Sequence, residues 1–337
     1  MSTNAKKFIL LIIKFGFIFL LAYSIYQGLF WYLWQYDKGP EAYSGAYQNA
    51  LTLQYHALAD DNREPEVIVF GSSYVPFGID TDVLSEETGC ESQILGVEAS
   101  LGIPVLLDIL KETAKPGDTI VYMLGKSNWY NEDFIVLSCA FEGDKDLLDW
   151  YWSIRPGKLD MYKKNLVWRK LYALIASRPV EAIRSSISDK IQVYSRESFD
   201  EKGNMIAIER EGTLISTEVN PSDTLTFEEM ELETMDMLNE FKNWCDEQGI
   251  CFVICYSPNI DGSIGATDDQ LLEYHHQMME YMDADILLTP QDYFLPVTDF
   301  YNHYAHLNSE GARKYSHVLG SALRSYMDGE SATVINE

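Results

Sequence analysis

The sequence predicts an α/β domain built on a mostly parallel sheet of five strands and covered on both faces, carried behind one N-terminal membrane-spanning helix. Three observations predict it: an uncharged apolar run near the N-terminus, short β-branched runs recurring from Val67 onward, and helical patterns lying between those runs. With 337 residues and 47% hydrophobic content, the chain can bury a sizeable core once the anchor is set aside.

From Phe15 to Trp34 the chain reads FGFIFLLAYSIYQGLFWYLW, without a formal charge. As a helix this run spans roughly 30 Å, the thickness of the hydrocarbon core. Lys6, Lys7 and Lys14 precede it, whereas Tyr32, Trp34 and Tyr36 form an aromatic belt at its far end. Positive-inside bias therefore places the N-terminus in the cytoplasm and the remainder outside the cell membrane. A cleaved signal peptide is the competing reading, but the run is long and no A-x-A site follows it. Residues 1–36 are thus read as a cytoplasmic stub and anchor, and 37–66, polar and broken at Lys38-Gly39-Pro40, as a juxtamembrane linker with a short helix.

The globular domain is expected over 67–330, with a tail at 331–337. Val67 to Phe70 ends in Gly71 and reads as a buried strand feeding a loop, and Gln93–Leu95, Thr119–Leu124, Ile250–Tyr256 and Ile286–Leu288 resemble it. Pro104 to Ala114 carries apolar residues at helical spacing, and Pro116-Gly117-Asp118 closes it ahead of the third strand. Thr226 and Glu229 form a capping-box signature before another helix, which Gly249 is placed to end. The stretch from about 139 to 222 breaks this rhythm and reads as a helical insertion after the third strand.

A formal charge of −27 argues against a nucleic-acid partner, since a polyanion would be repelled over most of the surface. The balance reverses between Tyr151 and Asp200, where ten bases from Arg155 to Arg196 outnumber the acids about twofold. That segment is either a surface for anionic lipid or polymer, or a solvated helical face. Of the five cysteines, Cys251 and Cys255 share one face of an apolar run and read as buried thiols. A disulfide from Cys245 to Cys251 or Cys255 stays open.

Ligands of open parallel sheets sit beyond the carboxyl ends of the strands. There Val67-Ile68-Val69-Phe70-Gly71-Ser72-Ser73 sets a serine after a buried strand and a glycine, and such a hydroxyl reacts only when a base takes its proton. The candidate base is His306, in a loop that precedes Asn308, a plausible N-cap, and Gly311 in the first turn of the last helix. A serine after the first strand and a histidine before the last helix can meet at the top of such a sheet. His303 with His306 lacks an acidic or cysteine partner at metal-ligand spacing, and adjacent His275 and His276 are expected on a helix surface.

VIVFGSSYVPFGID with the terminal HLNSEGARKYS resembles the SGNH (GDSL-like) hydrolase family, in particular its membrane-anchored bacterial branch that assists teichoic-acid D-alanylation. ILGVEASLGIPVLLDIL, KPGDTIVYML and YSRESFDEKGN resemble further parts of that branch, so the likeness extends over most of Val67 to Tyr326. It implies a flavodoxin-like three-layer sandwich and a nucleophile at Ser73. It also implies an oxyanion site made by the N–H groups of Ser73 and Gly96, with Asn128 as the third-block asparagine, although the family spaces that block more tightly.

Family members commonly carry an aspartate three or four residues before the histidine, and here His303 and Asn302 stand at those places. Either Asn302, as a neutral acceptor, or Asp299, if the loop folds back, is expected to orient His306. The resemblance implies a serine esterase or acyltransferase, without cofactor or metal, acting on acetyl or D-alanyl esters of a cell-envelope glycopolymer or acylated carbohydrate. Its alternative is a catalytically degenerate binding or scaffold protein that assists a membrane-bound O-acyltransferase. A flavodoxin-like nucleotide or flavin binder is disfavoured, because no glycine-rich phosphate loop is present.

Overall fold

The structure is a computed structural model that describes residues 3–36, 47–125, 132, 136–137, 140–141, 143–158, 193–206, 210–219, 221, 225–227 and 232–329. Two compact units are present: residues 1–44 with 142–189, and residues 45–141 with 190–337.

In the first unit, α1 runs from Thr3 to Tyr36. Its segment Ala5–Gly28 is long and apolar enough to cross a membrane, starting ten residues earlier than the run expected from Phe15. The described side chains of that segment are almost all exposed, as expected of a helix whose apolar faces have lipid rather than protein to cover them. After Asp144, whose carboxylate accepts from the Leu147 N–H, α6 spans Lys145–Ile154. Most of the basic stretch, including Lys163, Lys164 and Arg184, lies outside the described residues.

The second unit holds a five-stranded sheet in which every pairing is parallel. Its strands are β1 (Val67–Phe70), β2 (Ser92–Leu95), β3 (Thr119–Leu124), β4 (Cys251–Tyr256) and β5 (Asp285–Leu287), in the order β2-β1-β3-β4-β5. Each expected run is thus a strand, displaced by no more than a residue or two. β1 and β3 are buried along their whole length, which is why both read as continuous apolar runs rather than as alternating patterns.

Helix α2 (Ala50–Leu58) precedes β1, α3 (Tyr74–Gly78) and α4 (Thr81–Thr88) lie between β1 and β2, and α5 (Ile103–Thr113) between β2 and β3. Further along lie α7 (Leu232–Gln248), α8 (Asp268–Tyr281) and α9 (Ser309–Met327). Gly249 adopts φ +70° just past α7, as its capping place requires. Glu229, half of the expected capping box, lies outside the described residues; a complete box, Thr267 with Gln270, opens α8 instead.

Two expectations need correction. The short helix expected within 37–66 is α2, but it belongs to the α/β unit rather than to a linker: its Ala50, Leu51, Gln54 and Leu58 are buried there, and Gln54 bonds to the loop after β2. His275 is buried rather than at the surface, because its Nδ1 lies 2.9 Å from the Tyr256 hydroxyl at the end of β4. The cysteines Cys90, Cys245, Cys251 and Cys255 are all free, with Cys245 and Cys255 buried. Cys139 lies outside the described residues.

Candidate active site

Ser73 follows β1 directly and precedes α3, so the fully buried strand fixes its position at the carboxyl edge of the sheet. The Gly71 N–H donates to Leu95 O of β2 at 3.1 Å, which ties this turn to the neighbouring strand. From the other end of the chain comes a small antiparallel hairpin, β6 (Phe300–His303) and β7 (His306–Leu307). Its tight turn places Asn302 and His306 side by side, and the chain then enters α9 under the Asn308 cap, whose side chain accepts from Gly311 N at 3.0 Å. Gly311 has no room for a side chain, since a Cβ there would stand 2.3 Å from Asp299 O.

The structure brings Ser73 and His306 together: Oγ and Nε2 are 3.0 Å apart, across 233 residues of sequence. On the opposite side of the ring, Nδ1 lies 3.1 Å from Asn302 Oδ1 and 3.2 Å from the Tyr194 hydroxyl. A carboxamide oxygen can only accept, so with the Asn302 amide oriented this way Nδ1 carries the proton and the Nε2 lone pair faces the serine. That is the tautomer a general base requires.

His306 is buried and stacks on Phe77, with ring centroids 4.0 Å apart and 11° between the planes. Burial first, then the neighbouring His303 and the Arg210 guanidinium, pushes its pKa down to about 3. The ring is therefore neutral at any ordinary pH. Arg210 is itself buried, with Nη1 donating to Pro76 O at 3.0 Å and to Phe77 O at 3.2 Å, and it thereby fixes the helix turn that carries the stacking partner of His306. Burial lowers the guanidinium pKa to about 10, and its carbon sits 5.9 Å from the Phe77 ring centroid.

The remaining expected site residues are placed differently. Asp299 is buried and binds Lys314 Nζ through both carboxylate oxygens at 3.0 Å, so its charge is engaged with α9 and Asn302 alone of the two reaches the imidazole. Gly96 does not present a free N–H: that group donates to Gln54 Oε1 at 2.9 Å. Gly96 itself has φ +122° and packs so closely that a Cβ would fall 2.0 Å from Gly71 O, so only glycine fits there. Asn128 lies outside the described residues. A small cleft bordered by Ser72, Tyr74, Glu98 and Gly125 opens beyond the carboxyl ends of β1 and β3, where a parallel sheet binds its ligands.

Tyr194 and Arg210 were not singled out by sequence reasoning. Tyr194 begins the YSRESFDEKGN segment, yet nothing in its spacing marks one tyrosine among 22 as a partner of His306. Arg210 would have been visible only as a base in an acidic chain. Compared with protein-family models, with characterised proteins and with solved structures, the chain has no match. What the fold and site define is a class: an α/β protein with a half-buried serine paired to a buried histidine at the carboxyl edge of its parallel sheet.

Proposed function

We propose that the protein is a membrane-anchored serine esterase or acyltransferase of SGNH type, acting outside the cell on acyl esters of a cell-envelope glycopolymer. The observation that carries this reading is the 3.0 Å contact between Ser73 Oγ and His306 Nε2 on a ring whose far nitrogen faces acceptor oxygens. Support for the finer architecture, a three-layer SGNH-like sandwich, comes from the sequence blocks around Ser73 and His306 and from the position of the pair. The apolar helix with Lys6, Lys7 and Lys14 at its start supports a cytoplasmic N-terminus and an extracytoplasmic domain.

In the reaction, Ser73 Oγ attacks the acyl carbonyl while its proton passes to His306 Nε2. Collapse of the tetrahedral intermediate breaks the ester bond, and the departing alcohol takes that proton. Water or a sugar hydroxyl then attacks the acyl-serine, gives its proton to Nε2, and releases the acid or a new ester as Ser73 recovers its hydrogen. The Ser73 N–H, at the head of α3, would face the developing oxyanion. An acetyl or D-alanyl group is the proposed cargo.

A fluorophosphonate probe tests this on the full-length protein in detergent. Covalent mass should appear on the peptide carrying Ser73. Folded protein that gains none after prolonged exposure would overturn the proposal. That outcome would favour a second reading, a non-catalytic scaffold that assists a membrane-bound acyltransferase, for which two observations already speak: the Gly96 N–H is occupied by Gln54, and no carboxylate among the described residues orients His306.

The missing carboxylate yields a further prediction. An aspartate replacing Asn302 would put a negative charge against Nδ1 and raise the imidazole pKa by about 1–3 units, making it a stronger base. Asn302→Asp should label about tenfold faster at about pH 8. In the parent protein the labelling rate should stay flat from about pH 8 to about pH 5, because His306, held at about 3, remains neutral throughout. In the variant the acidic limb should move upward. Rate–pH profiles of the two proteins check both statements, and an acidic limb near the ordinary imidazole value in the parent would contradict them.

A further inference from the structure

We propose that Tyr194 is a positioning residue for His306, and that its hydroxyl together with the Asn302 carboxamide forms a neutral two-oxygen acceptor in the place usually held by one carboxylate. This rests on the serine-hydrolase reading for its catalytic consequence, but its structural part stands apart from it. Three contacts close a triangle. Nδ1 of His306 is 3.1 Å from Asn302 Oδ1 and 3.2 Å from Tyr194 Oη, and Asn302 Nδ2 donates to the same Oη at 3.0 Å.

One arrangement of protons suits all three contacts best. With the proton on Nδ1, the imidazole donates to both oxygens, the amide N–H donates to the phenol, and the phenolic proton points elsewhere; Tyr194 is half exposed, so water can receive it. If the amide is rotated by half a turn, its N–H points at Nδ1 and its oxygen at the phenol. The phenolic proton would then be shared between the amide oxygen and Nδ1, and the one lone pair of Nδ1 would have to accept from two donors, whereas in the first arrangement the shared proton meets oxygens with lone pairs to spare. The phenol therefore favours the amide orientation that keeps the proton on Nδ1, and hence the lone pair on Nε2 toward Ser73. When Nε2 takes the serine proton, the positive charge is met by two oriented dipoles rather than by an anion.

The ring of Tyr194 is seated for this task. It meets Tyr47 edge-on at 5.4 Å and Phe77 at 5.7 Å, and Phe77 in turn stacks on His306. The later part of the stretch read as an insertion, 139–222, thereby contributes to the geometry of a site whose nucleophile and base come from the two ends of the α/β unit. The insertion would be part of the machinery rather than an ornament on it.

The test is Tyr194→Phe in the full-length protein, which keeps the ring and removes only the hydroxyl. Nitrogen-15 labelling of the six histidines lets the His306 tautomer be read directly by NMR. The expected result is a protonated Nδ1 in the parent, a mixture with protonated Nε2 in the variant, and a fall of about tenfold in the rate of fluorophosphonate labelling, the cost of one hydrogen bond to a group that becomes charged. Asn302→Ala provides a second arm: without the amide N–H that holds it as an acceptor, the phenol can donate to Nδ1 as readily as accept from it, so the tautomers should mix there too. A Tyr194→Phe protein that labels within about twofold of the parent and keeps Nδ1 fully protonated would overturn the inference. Should the parent never label while the tautomer still shifts in Tyr194→Phe, the serine-hydrolase reading fails and the positioning of His306 by Tyr194 stands.

Discussion

His306→Ala should slow fluorophosphonate labelling of Ser73 by about three to four orders of magnitude while leaving the fold intact. A serine hydroxyl is a poor nucleophile until its proton has somewhere to go, and Nε2 at 3.0 Å is the acceptor that the fold supplies. No other described side chain shares that contact with Ser73 Oγ, so removal of the imidazole has no local substitute. Stability should change less than reactivity: the ring stacks on Phe77 and its hydrogen bonds go to Asn302, Tyr194 and Ser73 at the edge of the sheet rather than into its core. The loss should follow the missing base and not the lost bulk, which can be checked by adding imidazole to the cavity variant and measuring partial recovery. Unchanged labelling in His306→Ala would mean that Ser73 is activated by something else, and the mechanism proposed for the pair would have to be abandoned.

The parts of this site that were legible in the sequence are those set by local rules. A parallel strand buried on both faces must be a short run of branched apolar residues, so VIVF and TIVYML announced themselves, and the first polar residues after VIVF had to lie at the carboxyl edge. Asn308 was recognisable as a cap because the need of a helix start for a side-chain acceptor is local too. Partnerships across the fold were not legible. Whether Asp299 would orient His306 or neutralise Lys314 depends on which side of β6 it falls, and the structure gives it to Lys314, leaving a neutral amide at the imidazole. Gln54 bonding to Gly96 required knowing that residues 47–66 fold onto β2 rather than link an anchor to a domain. Tyr194 reaches His306 from 112 residues away, and no periodicity encodes that contact.

Asp118→Ala should have the largest effect on stability, a loss of about 3–5 kcal/mol, while leaving the chemistry of the site almost untouched. The Asp118 side chain is fully buried and the Arg63 side chain is 4% exposed, and the two meet in a bidentate pair at 2.8 and 2.7 Å. The same carboxylate accepts from the Glu66 N–H at 3.0 Å and the Lys115 N–H at 2.7 Å, so one side chain closes the turn before β3 and fixes the residue that leads into β1. Truncation strands a buried guanidinium and two backbone donors at once. Arg63 keeps hydrogen bonds to carbonyls, Leu58 O and Thr113 O among them, and only the more distant Glu66 and Asp60 charges to offset its own. This cluster lies at the amino ends of β1 and β3, whereas Ser73 follows the carboxyl end of β1, about 13 Å further along a four-residue strand. The urea midpoint should therefore fall sharply, and the labelling rate of the folded fraction should stay within about twofold of the parent. A variant that keeps its midpoint would show that the pair adds little beyond what apolar packing supplies there. One that keeps its midpoint but loses labelling would show that the two ends of β1 are coupled, and that the sheet does not hold Ser73 as a rigid support.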